Sequence, residues 1–339
     1  MPIQSWFSRI NLITVVVCFV LVLVGAYVRL SDAGLGCPDW PGCYGQMVVP
    51  DSSHATATAD ALYPHRPVQA PKAWKEMAHR YLAGIVSLLV LVMAGIVVLA
   101  RKRGLPNVLA PAILGVIIVQ IVFGALTVTL LVMPIIVTTH LLLGLATLAL
   151  LWWMWLRQRL RQPAATGRPA GVRLWATLAL VVLACQIFLG GWVSTNYAAV
   201  ACPDFPTCQG IYGLQTSLAP AFDLWHGLGV DYQGGILTSS VRATIHMVHR
   251  YGALATTLVL GLLALYLLGR GKRAAWRWLG VALLLALALQ VAIGIGIVEM
   301  QFPLWLTDAH TGGAALLLLV VVLVNHYVWS ARGDGVQES

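Results

Sequence analysis

The chain has 339 residues, of which 59% are hydrophobic and only 10% charged, with a formal net charge of +9. With a mean hydropathy of +0.83, this composition excludes an ordinary soluble domain and asks for a lipid solvent.

Hydrocarbon accepts stretches of about 20 apolar residues as helices, because only helices and closed barrels satisfy their own backbone groups there. Eight such stretches occur, at 11–30, 78–100, 107–131, 136–156, 174–195, 243–268, 278–298 and 308–330. None alternates with a period of two, which argues against a barrel. The first lacks a strongly basic start and runs on into a glycine-rich loop, so it reads as a retained span rather than a cleaved signal. The expected fold is all-α: a polytopic membrane protein whose eight transmembrane helices form two pseudo-symmetric four-helix bundles.

Segments 1–10, 101–106, 157–173, 269–277 and 331–339 hold 14 of the 21 Lys and Arg residues and two acids, Asp334 and Glu338. Basic loops stay in the cytoplasm, so both termini are expected inside and the protein in the cell (inner) membrane. The net charge is thus a topology signal, with the lipid bilayer as partner and no nucleic acid implied. The long loops 31–77 and 194–242 then face outward. Residues 1–160 form an N-terminal half, 161–173 a cytoplasmic basic linker, 174–330 a C-terminal half and 331–339 a cytoplasmic tail. Four helices per half is an even number, so the halves run in the same direction, unlike inverted transporter repeats.

Two histidine pairs mark those halves. His79 and His140 are 61 residues apart, as are His249 and His310, and an offset of 170 relates the pairs. The same offset carries Arg80 onto Arg250, Tyr81 onto Tyr251, Gln120 onto Gln290 and Gly124 onto Gly294. Histidine is costly in a span and usually functional or paired. A lone one is more often an interface residue bonded to a neighbouring helix, but four at a shared spacing point to ligation. Each pair, at the outer starts of its spans, could clamp an iron from opposite sides of a haem. Zinc would want further repeating ligands. Arg80 and Arg250 could pair with haem propionates or snorkel to headgroups. Gly124 and Gly294 leave room for a flat ring or for close helix packing. His246 shares a helix face with His249 and is an alternative ligand. His54, His65, His226 and His326 have no counterpart at that offset.

The outer loops carry Cys37-Pro-Asp-Trp-Pro-Gly-Cys43 and Cys202-Pro-Asp-Phe-Pro-Thr-Cys208, variants of one heptapeptide offset by 165. Three readings stand: a structural disulfide in an oxidising compartment, a reducible exposed disulfide, and a zinc site whose spacing is unusual. Cys18 and Cys185 fall in apolar runs as small packing residues. One position breaks the repeat. Glu76 lies opposite His246, one turn before His79, where a carboxylate could act as base, nucleophile or cation stabiliser. A helix N-terminal acid favoured by the dipole would explain the same placement.

The run from Gly25 through Arg29, Gly34 and Gly36 to Cys37 and Cys43 resembles the first outer-loop signature of haem A synthases. So does Glu76-Met-Ala-His79-Arg80, followed by histidines at 140, 249 and 310. The resemblance covers essentially the whole chain. It implies oxidation of the C8 methyl of haem O to a formyl, giving haem A for terminal oxidases. It further implies that His79 and His140 bind the haem O substrate, that His249 and His310 ligate a haem B cofactor, and that Glu76 is catalytic. Cys37 and Cys43 match a pair linked to disulfide chemistry; Cys202 and Cys208 match a pair found in some members. Haem O synthase is the expected donor of substrate, the haem sites are expected toward the outer face, and a homo-oligomer is one option for assembly. The rival reading is a bis-histidine di-haem electron-transfer cytochrome, which has no use for Glu76.

Overall fold

The computed structural model describes residues 2–100, 105, 108–160, 170–270 and 274–329. Most of the expected linker and the whole expected tail therefore lie outside the described residues. Ten α-helices run in the order α1 (Pro2–Leu30), α2 (Ser53–Leu62), α3 (Ala70–Leu99), α4 (Leu109–Thr129), α5 (Pro134–Arg159), α6 (Ala170–Thr195), α7 (Leu218–Ala221), α8 (Ser239–Arg270), α9 (Ala274–Glu299) and α10 (Leu304–Trp329). Among the described residues, all except α2 and α7 are long and apolar enough to span a membrane, eight in number. The protein is all-helical and multi-pass.

The spans reach further outward than their apolar runs. His79 and His249 lie more than two turns inside α3 and α8, and His140 and His310 more than one turn inside α5 and α10. They do not start their helices, as expected from hydropathy. The polar segment Ala70–Met77 continues the helix because backbone hydrogen bonding is indifferent to side-chain polarity, and a proline in its first turn has no N–H to waste; α3 and α5 both begin this way.

In the first half α1 packs on α3, α3 on α4, α4 on α5 and α5 on α1; in the second α6 packs on α8, α8 on α9, α9 on α10 and α10 on α6. Across the middle, α1 meets α10 and α5 meets both α6 and α10. Trp152 Nε1 donates to the Leu319 carbonyl (3.1 Å), and the Thr138 and Thr195 hydroxyls meet at 3.1 Å. Large apolar side chains away from the cavity, such as Leu91 and Leu258, are exposed, as lipid-facing residues should be. In lipid these contacts act through close packing and hydrogen bonds rather than exclusion of water.

The outer turns repeat in backbone detail. Leu131 and Val132 follow α4 with φ of 50° and 54°, and Gln301 and Phe302 follow α9 with 60° and 62°. Val132 N donates to the Thr127 carbonyl (2.8 Å) and Phe302 N to that of Ile297 (2.7 Å). Both close a helix end whose carbonyls would otherwise lack partners. Cys18 is buried as expected, whereas Cys185 is exposed on α6 and is not a core residue.

Candidate functional site

His79 on α3, His140 on α5, His249 on α8 and His310 on α10 all line one cavity of about 1640 Å³, together with Glu76, Arg80 and Arg250. Each imidazole sits on a glycine of the adjacent span. A β-carbon at Gly25 would lie 2.8 Å from His79 Cε1, at Gly124 3.3 Å from His140 Cε1, at Gly190 3.2 Å from His249 Cε1, and at Gly294 3.0 Å from His310 Cε1. Gly124 and Gly294 therefore make room for the histidine ring itself. Gly25, named only within the outer-loop signature, was not matched to Gly190 because the two repeat at 165, the offset of the cysteine loops, and not at 170.

Buried polar atoms normally find partners, yet Nδ1 of His79, His140 and His310 has none. His249 Nδ1 meets Gln186 Nε2 at 3.0 Å. Rings held by glycine seats at an apolar cavity, in two pairs on separate spans, have the chemistry of axial haem ligands. Among the described residues, no group of three or more His, Cys, Asp or Glu side chains could hold a metal ion; a haem iron needs only two. The residues fit the group.

Glu76 is 4% exposed. Its Oε2 accepts from the Cys37 amide (2.8 Å) and its Oε1 from Arg80. Arg80 also donates to the carbonyls of Pro41 (3.2 Å) and Gly42. Arg250 donates to the carbonyls of Cys202 (3.4 Å), Asp204 (2.9 Å), Pro206 (3.3 Å) and Thr207 (2.6 Å). Both arginines thus grip their cysteine loops. His246, opposite Glu76 in the repeat, also lines the cavity and is buried with Nδ1 2.9 Å from the Ala199 carbonyl.

The loops hold disulfides Cys37–Cys43 and Cys202–Cys208. All four cysteines are 0% exposed, which suits the structural-disulfide reading of the three and not the exposed, reducible one. Asp39 accepts from the Tyr44 (2.6 Å) and Gly45 (2.8 Å) amides, and Asp204 from those of Gln209 (2.6 Å) and Gly210 (2.9 Å). Asp204 also takes the Thr207 hydroxyl. That bond, with the two amides, lowers its carboxyl from 3.8 to about 2.

Residues 8–322 match the family of cytochrome oxidase assembly proteins, COX15-CtaA. The chain belongs to this family. Among curated relatives, a protein named "Heme A synthase" from Shewanella oneidensis is 43% identical over 328 residues, 96% of each chain. Proteins of the same name from Caulobacter vibrioides, 27% identical over 98% of this chain and 96% of its own length, and Rhizorhabdus wittichii, 28% identical over 73% of each, are more distant.

Proposed function

We propose that this protein is a haem A synthase, oxidising the C8 methyl of haem O to the formyl of haem A. The observation that carries the reading is Glu76: a buried carboxylate on the cavity wall, one turn from His79, where the other half has His246. In this reading His79 and His140 bind haem O, and His249 and His310 hold a resident haem B. A haem ligated on both faces supplies electron transfer rather than oxygen binding.

Turning a methyl into a formyl removes four electrons, adds one oxygen and releases protons. In this reading Glu76 takes up a proton released in the oxidation; what supports the role is that both its oxygens are already oriented, by Arg80 and the Cys37 amide. Such preorientation lowers the reorganisation needed when the acceptor works. Arg80 and Arg250 also line the cavity and would meet propionates only by giving up loop carbonyls. The basic segments support cytoplasmic termini, which puts the haem sites toward the outer face. A lipophilic substrate suits delivery within the bilayer by haem O synthase.

The test is pigment extraction from a strain without haem A synthase that expresses this chain. Haem A should accumulate with the wild type and haem O with Glu76→Gln. Absence of haem A from the wild type with haem O present overturns the function. Normal haem A with Glu76→Gln overturns the role of the carboxylate. Nothing favours the di-haem cytochrome reading, which leaves Glu76 without a task.

A further inference from the structure

The glycine that seats each imidazole has a companion four residues earlier. Gln120 precedes Gly124 on α4, Gln186 precedes Gly190 on α6, and Gln290 precedes Gly294 on α9. Residues i and i+4 share a helix face, so each glutamine addresses the same neighbouring helix as its glycine. Nε2 of Gln120 donates to the His140 carbonyl (3.0 Å), that of Gln186 to the His249 carbonyl (3.1 Å), and that of Gln290 to the His310 carbonyl (3.1 Å). Gln186 also reaches His249 Nδ1 at 3.0 Å, and Gln290 reaches His310 Nε2 at 3.3 Å. Three histidines are pinned by the same amide. The fourth place breaks the pattern: on α1 Leu21 precedes Gly25. Leu21 lines the cavity that His79 enters; Nδ1 of His79, like that of His140 and His310, is buried without a partner, and of the four only that of His249 is met, by Gln186.

We propose that Gln186 is a positioning residue that fixes His249, and that Leu21 in the corresponding place denies His79 the same hold, so the second half retains its haem while the first exchanges it. The inference rests on reading the two histidine pairs as haem sites. A ligating imidazole bound through Nε2 carries its proton on Nδ1 and needs an acceptor there to fix ring orientation. A carboxamide offers a donor and an acceptor on one rotatable group; Gln186 Nε2 now bonds both the ring and the carbonyl of His249, and its buried, unpartnered Oε1 would accept the Nδ1 proton of a ligated ring in exchange for that carbonyl bond. Leucine offers neither. For a cofactor site a tight hold is an advantage, whereas a substrate site must release its product.

The experiment uses the full chain in detergent, loaded with haem B and haem O, and follows haem transfer to excess apomyoglobin. Low-spin bis-histidine signals by electron paramagnetic resonance and the midpoint potential of each haem are recorded alongside. The wild type should release haem in a fast and a slow phase. Gln186→Leu should speed the slow phase about 10- to 100-fold, shift the potential of that haem alone, and leave the fast phase unchanged. Gln186→Glu, which keeps an acceptor for Nδ1, should restore part of the retention. Leu21→Gln should slow the fast phase by a similar factor; if that variant does not accumulate, Gln186→Leu decides alone. Wild-type release, potential and resonance signals in Gln186→Leu overturn the proposal. His249→Ala separates the two levels: if it keeps its full haem content, the haem-site reading fails, whereas haem loss there beside a silent Gln186→Leu sinks only the clamp.

Discussion

The two outer loops are built on the same turn but are tied to the cavity differently. In the second, Arg250 spends its bonds on four loop carbonyls, and His246 bonds the backbone at Ala199. In the first, Arg80 is shared between loop carbonyls and Glu76, and Glu76 holds the amide of Cys37. An acid has been placed between disulfide loop and cavity, and its burial costs several kcal/mol before pairing repays it. A structural tie alone does not need it, since the second loop is held without one. The lesson is that two loops held by the same arginine contact differ at the neighbouring position, where one carries a buried carboxylate and the other an imidazole.

The sharpest way to break this comparison is a matched pair of variants. Glu76→Gln should lower haem A formation by about 10²-fold or more, whereas His246→Gln should leave it near wild type. Equal losses in the two, measured as haem A per protein, would mean that both positions serve only the fold. Next come the glycine seats. An added methyl at Gly25 or Gly294 would lie 2.8 or 3.0 Å from an imidazole carbon, and such overpacking costs about 1–3 kcal/mol. Gly25→Ala should disturb only first-half haem and Gly294→Ala only second-half haem, read from the Soret bands and melting in detergent. Gly95→Ala, away from the cavity on the same helix, is the control, because a β-carbon there meets nothing within 4 Å.

The disulfides sharpen the contrast further. Closing so short a loop contributes about 2 kcal/mol in the chain-entropy account, and replacing either cysteine pair with serine should cost a similar amount of thermal stability. Only loss of Cys37–Cys43 should also slow turnover, since the amide that orients Glu76 belongs to Cys37. Equal kinetic effects from both pairs would remove that link. The smallest effect concerns pH. Asp204 titrates at about 2 instead of 3.8, so its support of the second loop is complete above the ordinary carboxylate range. It fades as pH falls toward about 2. Asp204→Asn should flatten the rise in protease sensitivity of that loop between those values, and because the group is solvent-accessible the change should be modest.

Much of the site was legible as spacing. The histidine pairs at 61 residues and the broken position at Glu76 needed only register. The three glutamine–glycine pairs were as plain, at four residues, but those at 120 and 290 are related by 170, whereas Gln186 is related by 165 to Leu21. One offset could not align them, because the second outer loop is five residues longer. The loop contacts of the arginines were hidden for a different reason. Beside a ligand they look like propionate partners, and nothing local reveals that loop carbonyls some 40 residues away come within reach.

By itself the sequence determined the eight spans, the loops that carry the cysteines and the histidines that belong together. Hydropathy and helical register act over a few turns, and lipid leaves a backbone few alternatives. Tertiary structure alone decided which groups meet: Cys37 with Glu76, Arg29 with the Ser194 carbonyl at 2.6 Å, Gln186 with His249. Those pairings depend on where a folded loop returns and how closely two helices approach, distances that no periodicity along one chain encodes.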